Sequence, residues 1–520
     1  MPDVVLPNVI TTYWQKERKL SFIRKIKRGN RIYLAEVENY RDGVKVRQKL
    51  IRYLGLDPTC KENDISFTIN NLKVGPIKVF GAVIALESIA RELGFFDLLG
   101  DIAEPILTLV FAHCLDYRSV DDAKEWYETT DLPNVFGFQK MPINRLHNAI
   151  EMLSKRDSSI IQKSVFENLC KLLGEDSSGV VYDATNTHLA GTHSILANKG
   201  KDKEGVRNRK LIQIGLGVTR HLGIPIFHHT REGNIHDTMM FREAIQQFNE
   251  MGVRKGLMVF DRGITSKTCV STLKNTGWHS LAGIPIHKGV KAAISNLDFE
   301  KMQKFRNIVI QGDTEFFVKP IKFEVGGVSG KLLVMQNSRK RQEKAQFRRL
   351  KIIKARDELR DFGNDIPTEL EKFFTKTKSI NWHAITRAER FDGLSFIFTD
   401  AKIAVEEAVH LYFAKDIIER CFKVEKSILN LRPIRFWLDS KIKVHVLICH
   451  LALSLITTCR IRLEKQGIKD DIGRIFKKLS SIYKIYFSID ASHNTHFSKV
   501  NTLSKYQSDI LKIIAPKLKM

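Results

Sequence analysis

The chain has 520 residues, room for about three domains at the usual allowance of roughly 100 to 200 residues each, so it is neither a peptide nor a lone module. Hydrophobic residues make up 43% and aromatics 9%, with no long proline, glycine or serine tract, which excludes wholesale disorder. Lys and Arg number 84 against 58 Asp and Glu, a formal charge of +26 spread along the chain, which suits nucleic acid better than a ribosomal or membrane-surface role.

Seven cysteines (Cys60, Cys114, Cys170, Cys269, Cys421, Cys449, Cys459) form no CxxC pair and no even framework, so neither a zinc finger nor a disulfide scaffold is expected, and a reducing compartment is the default. The opening MPDVVLPNVITTYWQKERK has no apolar run after its charges and does not read as a secretory signal. The longest apolar stretch, Val444 to Cys459, is interrupted by His445 and His450 and is short for a bilayer span; it reads as a buried helix. These features predict a soluble cytoplasmic protein with no membrane partner.

In chain order, residues 1–70 hold an expected β-hairpin. Residues 31–54 read as two strands around a turn at Arg41, Asp42 and Gly43, and the second strand places Lys45, Arg47 and Lys49 on one face by its period of two. That face suits a phosphate track as well as an ordinary solvated surface. Residues 71–172 read as a helical domain assigned to DNA binding, from the pattern between Phe80 and Cys170, though no spacing places a helix-turn-helix in it.

Residues 173–284 are the most legible. SGVVYDATN ends an apolar run at Asp183, KLIQIGLGVTR and IPIFHHT read as a hairpin, HDTMMFREAIQQFNEMG has helical spacing, and KGLMVFDRG is a buried strand ending at Asp261. A helix near 266–275 and a strand near 279–284 follow, giving β-β-β-α-β-α-β, the strand order of an RNase H-like α/β fold. In that fold the first and fourth strands are neighbours, so Asp183 and Asp261 emerge side by side although 78 residues separate them.

Residues 285–390 read as an insertion, with strands at 307–335 and a helix whose segment 339–360 holds ten basic and three acidic residues. Arg348 and Arg349 lie on this helix, which reads either as phosphate-contacting or as simply solvated. Residues 391–465 return to the core with the strand DGLSFIFTD and two helices, near 403–430 and 441–465. Residues 466–520 are polar and are expected to be helical.

Cutting or joining a phosphodiester needs an activated oxygen nucleophile and a stabilised leaving oxygen, and two divalent ions roughly 3.5 to 4 Å apart serve both. Hard ions such as Mg²⁺, with Mn²⁺ as substitute, take carboxylates. Asp183 and Asp261 supply two, and Glu419 is the candidate third. In LYFAKDIIERCFKVEKSILN, Tyr412, Lys415, Glu419 and Lys426 are offset by 0, 3, 7 and 14 positions, which on one helix fall within a sector about 60° wide. An acid flanked by an aromatic and two cations suits a metal ligand among phosphate-binding groups; spaced Glu–Lys pairs on a surface helix are the alternative.

The pattern Y-x2-K-x3-E-x6-K resembles the YREK signature of DDE transposases from insertion sequences of the IS-four superfamily. VYDATN, GIPIFHHTREGNIHD (with Gly233, Asn234 and Asp237) and VFDRG resemble the same group in the same order, over Val180 to about Leu455. YRDGVKVRQKLIRYLG, DGLSFIFTD, ILNLRPI and HVLICHLAL look like the IS sixteen-thirty-four branch. The resemblance implies cut-and-paste transposition with Asp183, Asp261 and Glu419 as metal ligands, an insertion between the second and third acids, and a route through a DNA hairpin. It also implies DNA contacts from Tyr412, Lys415, Lys426 and Asn234, terminal inverted repeats and target DNA as partners, a homodimer that synapses two ends, and a nucleoid-associated location in a prokaryotic cell. Lys415 departs from the signature's Arg, keeping charge but losing a bidentate fork.

His188, His193, His228, His229 and His236 lack a zinc-ligand spacing, so zinc is not expected there. Asn234 and Asp237 also suit a helix N-cap, and Arg262 and Gly263 a turn. Trp278 and Trp382 suit core packing better than holding a flipped base. Two other functions stay open: a transposase-derived DNA-binding protein without catalysis, and a structure-directed nuclease on the same fold.

Overall fold

The computed structural model describes residues 21–518 apart from 29–30, 43–44, 58–71, 176–177, 190–193, 201, 204, 207, 364 and 490–494. Cys60, Gly43 and His193, like the opening segment, lie outside the described residues. The chain forms two compact units, one drawn from 1–88, 127–139 and 474–520, the other from 89–126 and 140–473. This division cuts across the segments expected from the sequence, because the helical stretch 71–172 contributes to both.

The first unit begins with an antiparallel sheet of β1 (Ser21–Arg28), β2 (Arg31–Asp42) and β3 (Lys45–Leu56) in that order. Ala35 and Val37 of the central strand are buried while most of β1 and β3 is exposed. β1 is a third strand beyond the expected hairpin; SFIRKIKR has no clean alternation to announce it. β4 (Leu72–Val79) follows.

The second unit is built on one mixed sheet. Its strands are β5 (Gly179–His188), β6 (Asn198–Lys199), β7 (Lys210–Thr219), β8 (Pro225–Glu232), β9 (Leu257–Phe260), β10 (His279–Gly283), β11 (Ile308–Gln311), β12 (Thr314–Val325), β13 (Val328–Gln336) and β14 (Leu394–Thr399). The order across the sheet is β11-β12-β13-β14-β10-β9-β5-β7-β6, with β8 also paired to β7. β5 lies parallel to β9 and antiparallel to β7, and it is buried on both faces. Both faces are apolar because helices cover them. Tyr182 packs on Phe241 and Phe248 of the helix Asp237–Glu250, at ring distances of 5.3 and 6.4 Å. Asp183, next along, is turned by the strand's alternation to the opposite face.

The expected insertion is continuous with this sheet, since β13 pairs with β14 and β14 with β10, both antiparallel. Its helical part has a small core of its own, around Ile352, Ala355, Phe373 and Ile385. The helix Asp439–Lys465 is apolar on all sides, as a fully enclosed helix must be, and packs on the helices Ala103–Leu115, Ile143–Ser154 and Ser158–Leu173 and on β8. It is long and apolar enough to cross a membrane, yet 94% of its most apolar window is buried inside the protein.

The C-terminal segment departs from its all-helical expectation. Between the helices Ile472–Ser480 and Lys505–Ile514 run β15 (Tyr483–Ile489) and β16 (Thr495–Val500), and β15 pairs with β4 in the first unit. Aromatic, alternating YKIYFSI favours a strand once β4 offers an edge. Buried Asp131 anchors it, accepting from the Tyr486 hydroxyl and pairing with Lys484 Nζ at 3.1 Å.

Candidate active site

Register sets the site's first two acids. Tyr182 and Phe260 are partners in the parallel β5–β9 pair, so the next residues, Asp183 and Asp261, leave adjacent strands at the same level. The third acid arrives on the helix Asp416–Ser427, which packs on β5 and β7. Ile417, Ile418, Cys421, Phe422 and Glu425 form that helix's buried face, and Glu419 is exposed in its first turn, where the helix dipole favours an anion. Asp183, Asp261 and Glu419 line one cleft of about 560 Å³ together with Asp237, Lys203, Lys423 and Lys426.

The expected single helix over 403–430 is interrupted. Val405–Phe413 and Asp416–Ser427 are separate helices with Ala414 and Lys415 between them, both still in right-handed helical conformation. No proline or glycine marks this offset, so the sequence gives no sign of it. Tyr412 and Lys415 nevertheless reach the same atom: Tyr412 donates its hydroxyl to Asp261 Oδ1 at 3.2 Å, and Lys415 Nζ stands 3.1 Å from that oxygen. Lys415 also lies 5.2 Å above the Tyr412 ring. Gly283 at the end of β10 makes the room, since a Cβ there would strike the Tyr412 hydroxyl.

The two aspartates are tuned apart. Burial pushes Asp183 up to about 6, aided by the charge of Asp261 and opposed by Lys203, the backbone N–H of Ala184 at 2.8 Å and Lys415. Burial also acts to raise Asp261, but Lys415, the Arg262 N–H and the Tyr412 hydroxyl outweigh it and hold this carboxyl below the usual range. Tyr412 is pushed up in turn, by burial first and by Asp261 second. Burial lowers Lys426, as does nearby Lys203.

Lys203 is the residue that sequence reasoning missed. Its ammonium bonds the Ala184 carbonyl and lies 3.4 Å from Asp237 Oδ2. The loop that carries it, GKDKEGVRNRK, has no periodicity to single out one lysine. The sequence offers Asp237 only as a motif or capping residue; the N-cap of its helix is His236, and Asp237 is the first helical residue. Gly233 explains the start of that motif: a Cβ would overlap the carbonyl oxygens of Leu211 and Asn198, so the backbones meet there. Asn234 is exposed and does not line the cleft.

A second fastening holds the Glu419 helix. Glu425 is fully buried and its Oε1 is 2.5 Å from His228 Nε2 on β8, while His228 Nδ1 is 2.8 Å from His450 Nδ1. His229 bonds the Tyr182 hydroxyl at 2.6 Å, His188 is half-buried, and His236 is exposed.

The other sequence candidates lie elsewhere. Lys45, Arg47 and Lys49 alternate on β3 and are exposed. Arg349 is exposed and pairs with Glu389 at 2.9 Å. Arg348 is a correction: only 15% of its side chain is exposed, it is paired with buried Asp392, and it lies 5.9 Å from the Phe373 ring. An arginine so enclosed is a packing and pairing group, with little surface to offer a phosphate. Trp382 is a second correction, being 69% exposed where core packing was expected, because its short helix buries only Ile385. Trp278 is buried and donates to Asn249 Oδ1 at 3.3 Å, and the turn Asp261–Ile264 is closed by the Ile264 N–H.

The donor chemistry fits hard divalent ions. Carboxylates from two strands and a helix share one cleft, and a bound cation would offset the burial, and with it the nearby Asp261 charge, that raise Asp183.

The family model described as "Transposase DDE domain" matches residues 174–455. No curated protein matches the chain. Among solved structures, the cryo-EM structure of a piggyBac transposase synaptic complex with hairpin DNA is similar over 78% of this chain and 82% of its own, with 9% identity and a TM-score of 0.38.

Proposed function

Given that the chain belongs to the DDE transposase family, we propose that it moves an insertion sequence by cut-and-paste transposition, cleaving DNA at terminal inverted repeats and joining the freed ends to target DNA. The observation that carries this reading is the convergence of Asp183, Asp261 and Glu419 on one cleft from β5, β9 and the helix Asp416–Ser427. The strand succession β5, β7, β8, β9, β10, with β5 beside β9, supports an RNase H-like core.

Asp183, Asp261 and Glu419 are the residues to hold two Mg²⁺, or Mn²⁺ in their place. Ions held there would activate an attacking water or 3′ hydroxyl and stabilise the leaving oxygen. The chain's own groups supply the rest. Tyr412 and Lys415 orient Asp261 through its Oδ1. Lys203, Lys423 and Lys426 give the cleft cations for a phosphate backbone. Exposed Lys45, Arg47 and Lys49 suit contacts to DNA outside the cleft, as does Arg349 in part. Trp382 offers an exposed ring to an unstacked base.

The spacing of Tyr412, Lys415, Glu419 and Lys426 supports membership of the IS-four superfamily with its YREK signature, in the IS sixteen-thirty-four branch. Two ends must be brought together, which calls for a homodimer in the synaptic complex, acting at the nucleoid of a prokaryotic cytoplasm. The test is strand cleavage with Mg²⁺ or Mn²⁺ on DNA carrying the inverted repeats that flank this gene, against DNA with those repeats scrambled. Cutting confined to the repeat ends supports a transposase; cutting of branched DNA without end preference marks a structure-directed nuclease; binding without cutting under either metal marks a DNA-binding relic.

A further inference from the structure

Away from the cleft, three buried side chains converge with no part in the reaction above. His113 lies near the end of the helix Ala103–Leu115, and His445 and Cys449 lie one turn apart on the helix Asp439–Lys465. Their exposures are 6%, 2% and 0%. The Cys449 sulfur is 3.9 Å from His113 Nδ1 and 3.9 Å from His445 Nε2, and one donor atom from each residue lies within 4.8 Å of the other two.

We propose that His113, His445 and Cys449 form a buried structural site for one zinc ion, separate from the catalytic carboxylates. Some point lies within about 2.8 Å of three atoms so spaced, and a contraction of at most about 0.8 Å reaches the usual Zn–S and Zn–N bonds of about 2.3 and 2.0–2.1 Å. Imidazole and thiolate select a borderline or soft ion, whereas the cleft's oxygen donors select a hard one. The two sites therefore differ in the metal they prefer.

The surroundings favour the neutral imidazoles that a metal needs. Burial lowers His113 to about 4 and His445 to about 3, and it raises the Cys449 thiol. Without an ion, His113 Nδ1 donates to the Leu429 carbonyl at 2.5 Å and His445 Nε2 faces the Leu431 carbonyl at 3.4 Å. On binding, each ring proton moves to the other ring nitrogen, the thiol proton is released to solvent, and a carbonyl oxygen or a water completes four-coordination.

The site has a mechanical consequence. Leu429 and Leu431 belong to the turn directly after the helix Asp416–Ser427, so an ion that takes one of their carbonyls as fourth ligand, in place of the ring N–H bonds it displaces, fastens the end of the Glu419 helix to two core helices. In the sequence His445 reads only as an interruption of an apolar stretch, and His113 is 332 residues away.

The test is the metal content of the full-length chain, expressed with zinc and freed of loose metal by gel filtration without chelator. About one zinc per chain is expected, kept by the triple variant Asp183→Asn, Asp261→Asn, Glu419→Gln and lost from His445→Asn, Cys449→Ser. Retention of zinc by the His445→Asn, Cys449→Ser variant overturns the assignment. Should that variant not fold, Co²⁺ added to metal-stripped wild type decides alone. A thiolate-to-cobalt charge-transfer band with tetrahedral d–d bands supports the site, and wild type that is zinc-free and shows no such band refutes it.

Discussion

Lysines in the cleft and arginines on the helix Ser338–Phe362 meet carboxylates in different ways. Lys203 and Lys415 come from a loop and a helix junction to acids on other elements, in a cleft that Asp183, Asp237, Asp261 and Glu419 share. On the long helix, Arg339 pairs with Glu343, Lys354 with Glu358 and Arg360 with Asp357, neighbours on the same element, and Arg348 turns inward to Asp392. A basic run in a sequence thus reports composition, whereas a site gathers several acids and cations from unlike elements around one cleft. Much of the helix's charge is met by nearby acids before any DNA arrives.

The sharpest break in this comparison comes from Arg348. Arg348→Met leaves Asp392 buried without its partner and should cost about 3 to 5 kcal/mol of stability, read as a fall in denaturation midpoint. A neutral outcome would put Arg348 back among the DNA-binding candidates. Next is Lys415→Met, which removes the cation on Asp261. Cleavage should fall roughly 10- to 100-fold, the scale for groups that orient a metal ligand, with end binding little changed; Lys203→Met should act in the same direction.

A smaller effect follows from Asp183. Its folded value is raised to about 6, so its protonated form favours the fold: that contribution is full below the ordinary carboxylate value, and is lost as pH rises through about 6. At pH 7.5 without divalent ions, Asp183→Asn should therefore melt higher than wild type by about 2 to 4 °C, the gap closing toward pH 4. Mn²⁺ should stabilise the wild type more than the variant. The same ionisation predicts that, where the metal does not saturate the site, protons compete with it and cleavage declines as pH drops below about 6. Arg349→Ala is the smallest: an exposed pair with Glu389, it should change stability by about 0 to 1 kcal/mol.

The sequence made β5 and β9 legible because each is an apolar run ending in an aspartate, and the parallel register of Tyr182 with Phe260 then sets the two acids level. Glu419, Tyr412 and Lys415 were legible through helical spacing, although that spacing assumed one helix where two stand end to end. Lys203 was not, because a loop has no period and its role exists only where Ala184 and Asp237 are brought beside it. Arg348 looked like its neighbours because its partner Asp392 lies 44 residues on. Strands β15 and β16 escaped because β15 needs the distant edge of β4, which no local pattern reveals.

In the proposed reaction Asp183, Asp261 and Glu419 act as one metal-holding set. The most direct test compares wild type with Glu419→Gln for strand cleavage in Mn²⁺ at saturating end DNA. Equal DNA binding and a cleavage rate at least about 10²-fold lower are expected in the variant, beyond what loss of a merely orienting group produces. Equal cleavage by the two proteins would contradict it and remove Glu419 from the site.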